Sequence, residues 1–238
     1  MFKKAVLVLS LAALATGCAN NDVKLYQGLG KNSMFRSGPG KDSKDVPVYS
    51  FNYTTAAVVF DEAGKIVDVS VDALEVSTPN YDGESMPHFS GWPGTEGYNV
   101  TDHEKEEVVG KSHNTVENIK KEVDGWKTKR DRGDNYGMNR KNDWHKQMAV
   151  FNNFFRGKTI EEIEAIFKRT FSDVNGRPIK ANATNEKDKA KYAALSAEDK
   201  AMLADITAGA TMSIKDPHGD IIGAIKDAYK NKIEFTVK

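Results

Sequence analysis

Apolar and polar residues alternate one by one along two neighbouring stretches of the chain. Ala56, Val58 and Phe60 interleave with Thr55, Ala57 and Val59, and Val67, Val69 and Val71 interleave with Asp68, Ser70 and Asp72. A period of two sends successive side chains to opposite faces, so each stretch predicts a strand with one buried face. Between them, Asp61-Glu62-Ala63-Gly64-Lys65 supplies turn chemistry and joins the strands into a β-hairpin.

From residue 143 the period becomes helical. Trp144, Met148, Phe151 and Phe155 recur at helical spacing behind the capping residue Asp143, and Gly157 suits the stop. Thr159-Ile160-Glu161-Glu162 is a capping box that turns Ile163, Ile166 and Phe167 inward. Ser196-Ala197-Glu198-Asp199 starts another short helix. Asp216-Pro217, a capping residue followed by proline, predicts the start of the last helix, which buries Ile221, Ile222, Ile225 and Tyr229. Glu234 to Val237 then close the sheet as a strand.

The connecting stretches carry weaker signals. Residues 19–45, rich in Gly, Ser, Asn and Lys, predict a flexible tether. Residues 79–105, with their Pro, Gly, His and acidic side chains, predict a long irregular excursion, and 172–194 a loop or insertion. Residues 115–130 fit a short helix or a strand. The order of elements predicts an α+β domain over residues 46–238, an antiparallel sheet with packed helices rather than a parallel doubly wound sheet.

The first residues alter the picture by adding a membrane. Lys3 and Lys4 precede an apolar run, Ala5 to Ala15, too short for a stable span, and the run ends in Ala15-Thr16-Gly17-Cys18. Small residues directly before the single cysteine resemble the lipobox of bacterial lipoproteins, with Ala15 in place of the usual leucine. The resemblance implies a signal peptide over 1–17, lipidation at Cys18, a tether from 18 to 45, and an extracytoplasmic location on the cell membrane. With no second cysteine the domain has no disulfide framework. The whole chain balances 34 basic against 34 acidic residues and has no basic run, which argues against a nucleic-acid partner.

Candidate chemistry is sparse. His88, His103, His113, His145 and His218 show no repeated ligand spacing, so no metal site is expected. Gly157-Lys158-Thr159 is not a phosphate loop, because Asn152 stands where the upstream glycine belongs and a helix precedes it. The most informative stretch is Asp205-Ile206-Thr207-Ala208-Gly209-Ala210-Thr211-Met212-Ser213, a threonine after Gly-Ala and six residues beyond an aspartate.

Together with Ala56 to Val67, Asp134-Asn135-Tyr136-Gly137-Met138, and Trp144-His145-Lys146-Gln147 leading to Arg156-Gly157-Lys158-Thr159, this stretch resembles the FMN-binding domain of flavinylated electron-transfer lipoproteins of the cell envelope. More distantly it is similar to subunits of sodium-pumping NADH:quinone reductases and Rnf complexes. The resemblance implies FMN as cofactor, joined by a phosphoester to Thr211, with Asp205 at the acidic position and Gly209 and Ala210 as the small pair. Ala208 stands where that family usually has Ser or Thr, which leaves covalent and non-covalent flavin both open. Tyr136 and Met138 are candidates to cover a face of the ring, whereas Trp144, Met148 and Phe151 are expected in the core.

The implied partners are a flavin transferase, a membrane quinol or NADH dehydrogenase as electron donor, and the lipid bilayer. The implied function is an electron carrier rather than an enzyme, passing electrons from that donor to an external acceptor. The alternative is a flavin-free envelope lipoprotein that uses the same domain to bind a small ligand or a protein.

Overall fold

The alternating stretches pair as expected in the computed structural model, which describes residues 23–81, 86–138 and 143–237. The signal segment and Cys18 lie outside the described residues. In chain order the elements are β1 (Val23–Lys41), β2 (Pro47–Phe60), β3 (Ile66–Ser77), β4 (Asn99–Asp102), β5 (Glu107–Lys111), α1 (Val116–Asp124), α2 (Lys129–Arg132), α3 (Trp144–Phe155), α4 (Ile160–Thr170), α5 (Glu186–Ala193), α6 (Ala197–Gly209), β6 (Lys215–Asp216), β7 (Gly219–Asp220), α7 (Ile221–Lys230) and β8 (Ile233–Val237).

Strands β3, β2, β1 and β8 form one antiparallel sheet in that order, and helices cover its inner face, so the fold is α+β. Ala56, Val58 and Phe60 of β2 and Val69 and Val71 of β3 share a core with Met148, Phe151 and Phe155 of α3 and Ile222 and Ile225 of α7. Each large side chain withdrawn from water here contributes roughly 1.5–3 kcal/mol. The caps follow the sequence: Asp143 accepts from the Trp144 N–H, Thr159 and Glu162 complete a capping box, and Ser196 caps α6. Gly157, at φ +75°, turns the chain after α3 and donates to the Ile66 carbonyl at 2.8 Å.

Several expectations are corrected. Residues 23–41 of the expected tether form β1, paired from Tyr26↔Phe60 to Lys41↔Pro47, so the folded domain begins well before residue 46. The strand lacks an apolar alternation because two inward positions are Gly28 and Gly30, which admit α7 against the sheet. β2 also starts earlier than its apolar pattern suggests, because Ser50, Asn52 and Thr54 fill the inward positions between Val48 and Ala56. The excursion over 79–105 contains β4 and is followed by its partner β5, and residues 116–124 resolve as a helix capped by Thr115.

The segment 172–194 includes α5, whose buried Asp188 accepts a hydrogen bond from the Ser172 hydroxyl at 2.9 Å. The last helix starts at Ile221 with Asp220 as cap, not after Asp216-Pro217. Asp216 instead accepts from the His218 N–H at 2.8 Å, and Asp216-Pro217 turns the chain between β6 and β7. An aspartate that bonds a backbone amide two residues on stabilises a turn as readily as a helix start.

Candidate functional site

Four connecting segments meet over the inner face of the sheet around a cavity of about 370 Å³. Its wall takes Thr54 and Ala73 from the sheet, Lys129 from α2, Tyr136 and Met138 from the loop before α3, and Thr211 from the segment after α6. The start of α3 organises two of these pieces. Besides capping the helix, the buried Asp143 carboxylate accepts from the Gly137 and Met138 N–H groups, each at 3.3 Å. That pins the loop so that Tyr136 and Met138 face the cavity beside Trp144.

One turn further along α3, Gln147 is 2% exposed and holds the opposite wall. Its Oε1 accepts from the backbone N–H of Thr211 at 2.7 Å and of Met212 at 2.9 Å. These amides have left α6, whose last turn closes with Ala210 N–H donating to the Ile206 carbonyl, so without Gln147 they lack a partner. The clamp fixes Thr211 by its backbone and leaves its side chain free. Among the described residues the Thr211 hydroxyl forms no hydrogen bond; the residue is half-buried and lines the cavity. Gln147→Leu is expected to destabilise the protein by about 2 kcal/mol, because buried amides lose their acceptor. Urea unfolding checks this, and a change under about 0.5 kcal/mol would dismiss the clamp.

Charge enters from α2. The Lys129 ammonium, 5% exposed, lies 3.0 Å from the Glu75 carboxylate on β3 and 5.6 Å from the centre of the Tyr136 ring. Burial works against its charge, but the Tyr136 oxygen and Glu75 outweigh burial and hold its pKa above the ordinary lysine value. Lys129 is therefore a fixed cation in the cavity wall. Arg132 covers a face of Tyr136, its guanidinium carbon 4.4 Å from the ring centre. Arg177 also lines the cavity and forms no ion pair among the described residues.

The β6–β7 turn closes another side. Burial raises the Asp216 pKa, yet hydrogen bonds from His218, its charge and Ser213 together bring it below the ordinary 3.8. A lowered carboxylate pKa contributes stability that is full above 3.8 and disappears as the pH falls below it through the folded-state value. Asp216→Asn is expected to flatten the acid limb of the stability curve below 3.8, measured as melting temperature against pH.

The sequence-derived candidates are placed unequally. Thr211 lines the cavity, with Ala210 fully buried immediately before it and Gly209 ending α6 against Val150. Asp205 is exposed on α6, five residues of helix and turn lie between it and Thr211, and it is not part of the cavity wall. Ala208 is exposed on the same helix, so the missing hydroxyl does not touch the Gln147 clamp. Trp144 serves both core and cavity, whereas Met148 and Phe151 belong to the core alone. Gln147 and Lys129 were missed. Gln147 left a trace, a polar residue on the apolar face of α3, while the Lys129–Glu75 pairing spans elements that no local pattern connects.

The cavity thus brings together, within an α+β fold, a threonine hydroxyl without a hydrogen bond among the described residues, a buried cation and aromatic cover. Over 219 residues the chain is 34% identical to a protein named chlorophenol reductase from Desulfitobacterium hafniense, covering 89% of this chain and 59% of that protein. The chain thus spans less than two thirds of that relative's length. No protein-family profile matches the chain, and no solved structure does. The relative bears an enzyme's name, which overturns the expectation of an electron carrier that is not an enzyme. That expectation came with the resemblance to electron-transfer lipoproteins, and a reductase whose cofactor performs the redox step equally needs no nucleophile or paired acid and base.

Proposed function

We propose that this chain is the flavin-bearing domain of a lipid-anchored envelope reductase, with FMN joined through its phosphate to Thr211. The observation that carries the reading is the free Thr211 hydroxyl, held at a cavity wall by the Gln147 clamp. The residues present fit the group. The cavity is of ligand size, Arg177 provides an unpaired cation for a phosphate, and Tyr136, Met138 and Trp144 provide apolar and aromatic cover for a ring.

Attachment forms a bond from the Thr211 oxygen to the FMN phosphorus of FAD and breaks the pyrophosphate bond. AMP leaves, and the hydroxyl proton passes to solvent or to the flavin transferase. Once bound, FMN supplies the two-electron reduction and reoxidation on which reductase chemistry rests. The protein's own residues fix and enclose it: Gln147 sets the Thr211 backbone, Lys129 supplies positive charge, and the aromatic wall excludes water.

Cys18 lipidation would hold the domain at the extracytoplasmic face, where a membrane quinol or NADH dehydrogenase serves as donor. The name of the relative supports reduction of a small organic acceptor as the terminal step. The test is co-production with a flavin transferase, followed by in-gel flavin fluorescence after denaturation and by intact mass. A fluorescent band with the added mass of one FMN is expected; a dark band without it would refute covalent attachment.

A further inference from the structure

The outer face of the sheet borders a second cavity of about 800 Å³, separate from the one at Thr211. On β2, Phe51 stands between the inward Ser50 and Asn52 and therefore points the other way. Its cross-strand neighbours share that outer face, Phe35 on β1 and Val76 on β3. Tyr49, two residues before Phe51, stacks on Phe35 with ring centres 5.7 Å apart. Together these side chains form one wall. Ala73 lines the Thr211 cavity and the next residue, Leu74, lines this one, so β3 stands between the two.

The segment from Phe89 to Trp126 supplies the other wall. Phe89 meets Trp92 and Trp126 edge-on, with ring centres 5.1 and 6.2 Å away. Side-chain hydrogen bonds brace this wall. The Glu122 carboxylate on α1 accepts from the Ser90 N–H at 2.9 Å and from its hydroxyl at 2.8 Å. Asn114 donates to the Ser90 carbonyl at 2.8 Å and to the Thr95 hydroxyl at 3.0 Å, and Trp126 Nε1 donates to the His88 carbonyl at 2.8 Å. A wall fixed by its own bonds is preformed, as ligand sites usually are. It nevertheless leaves rings in water on both sides of the gap, since Trp92 is 71% exposed and Phe35 70%.

We propose that this cavity binds uncharged, planar aromatic molecules, at a site distinct from Thr211 and independent of the flavin reading. Its volume falls in the range of small-molecule sites, and two chain-built walls enclose it, which suits a ligand better than the flat face of another protein. Rings on both walls favour a ligand with a ring of its own, because aromatic pairs gain more than the area they bury. Charge is selected against. Glu96 is the charged residue among those lining the cavity, and Lys111 already pairs with it, so an entering ion loses hydration without gaining a counter-charge.

The full chain is titrated calorimetrically at neutral pH with 2-naphthol, with its saturated counterpart decahydro-2-naphthol, and with the anion 2-naphthoate. Wild-type protein is expected to bind one 2-naphthol saturably and each of the other two at least tenfold more weakly. Trp92→Ala and Phe51→Ala, one from each wall, are each expected to weaken 2-naphthol at least tenfold, and Trp92→Phe to keep binding within threefold of wild type. Trp92 is largely exposed, so Trp92→Ala is expected to keep the wild-type melting temperature, and it decides alone if Phe51→Ala does not fold. No saturable binding of 2-naphthol overturns the proposal. Equal affinity for the saturated alcohol overturns the aromatic preference, and equal affinity for the anion overturns the exclusion of charge. Unchanged affinity in a folded Trp92→Ala shows that the ligand sits elsewhere and overturns the site. A wild-type dimer that Trp92→Ala dissociates, with no binding of 2-naphthol, would make a second copy of the chain the occupant and overturn it too. No flavin enters the experiment, so its failure leaves the flavin reading untouched.

Discussion

Thr211→Ala protein, produced beside a flavin transferase, is expected to give a dark band in a denaturing gel where the wild type fluoresces, and to lack the added mass of one FMN. The variant deletes the free hydroxyl but keeps the backbone N–H that Gln147 grips, so the loop keeps its position. Its cost to stability is expected to stay near 0.5 kcal/mol, as for substitutions away from a packed core. Thr211→Ser restores an acceptor and is expected to restore fluorescence. The neighbouring hydroxyls make the experiment specific. Thr207 already donates to the Leu203 carbonyl at 2.7 Å within α6, whereas Ser213 lines the same cavity as Thr211. Full covalent fluorescence in Thr211→Ala would defeat the assignment and direct attention to Ser213.

The second large effect concerns the fold that holds the cavity together. Gly30→Ala is expected to destabilise the protein by about 3 kcal/mol, the upper end for overpacking a well-filled interior. A Cβ at Gly30 would lie 2.0 Å from the Ala224 carbonyl oxygen and 2.1 Å from the Ala228 nitrogen. Both are backbone atoms of α7, so the clash cannot be relieved by a side-chain rotation. Gly28 makes an equally close approach, 2.0 Å from the Ala228 carbonyl oxygen. The helix must therefore lift from β1, and since Ile221 at its start lines the cavity, flavin retention is expected to fall as well. For a domain of this size the loss corresponds to a drop of roughly 10 °C in melting temperature. Gly110→Ala is the control: nothing lies within 4 Å of a Cβ there, and the expected change is under about 0.5 kcal/mol. Equal effects at the two positions would contradict the tight α7–β1 contact.

The local elements were legible because their signals are local. Alternation around Asp61–Lys65 located the hairpin, and the side chains of Asp143, Thr159 and Ser196 located three helix starts. Each depends on residues within one turn or one pleat. Asp216-Pro217 shows the limit of the same reasoning, since an aspartate before proline serves a hairpin turn here and the cap falls to Asp220. The reductase name likewise corrected a functional expectation that had come with the resemblance to electron-transfer lipoproteins.

By itself the sequence determined the α+β class, the caps, the apolar halves of β2 and β3, and Thr211 as the hydroxyl to examine. Only the tertiary structure decided that residues 23–41 complete the sheet, that Asp205 lies outside the cavity wall, and that Gln147 and Lys129 line one cavity with Thr211. The physical reason is common to all three. Inward glycines and buried polar residues carry no hydrophobic period, because what fixes them is the backbone of a distant helix or a partner tens of residues away, and such contacts exist only once the chain has folded.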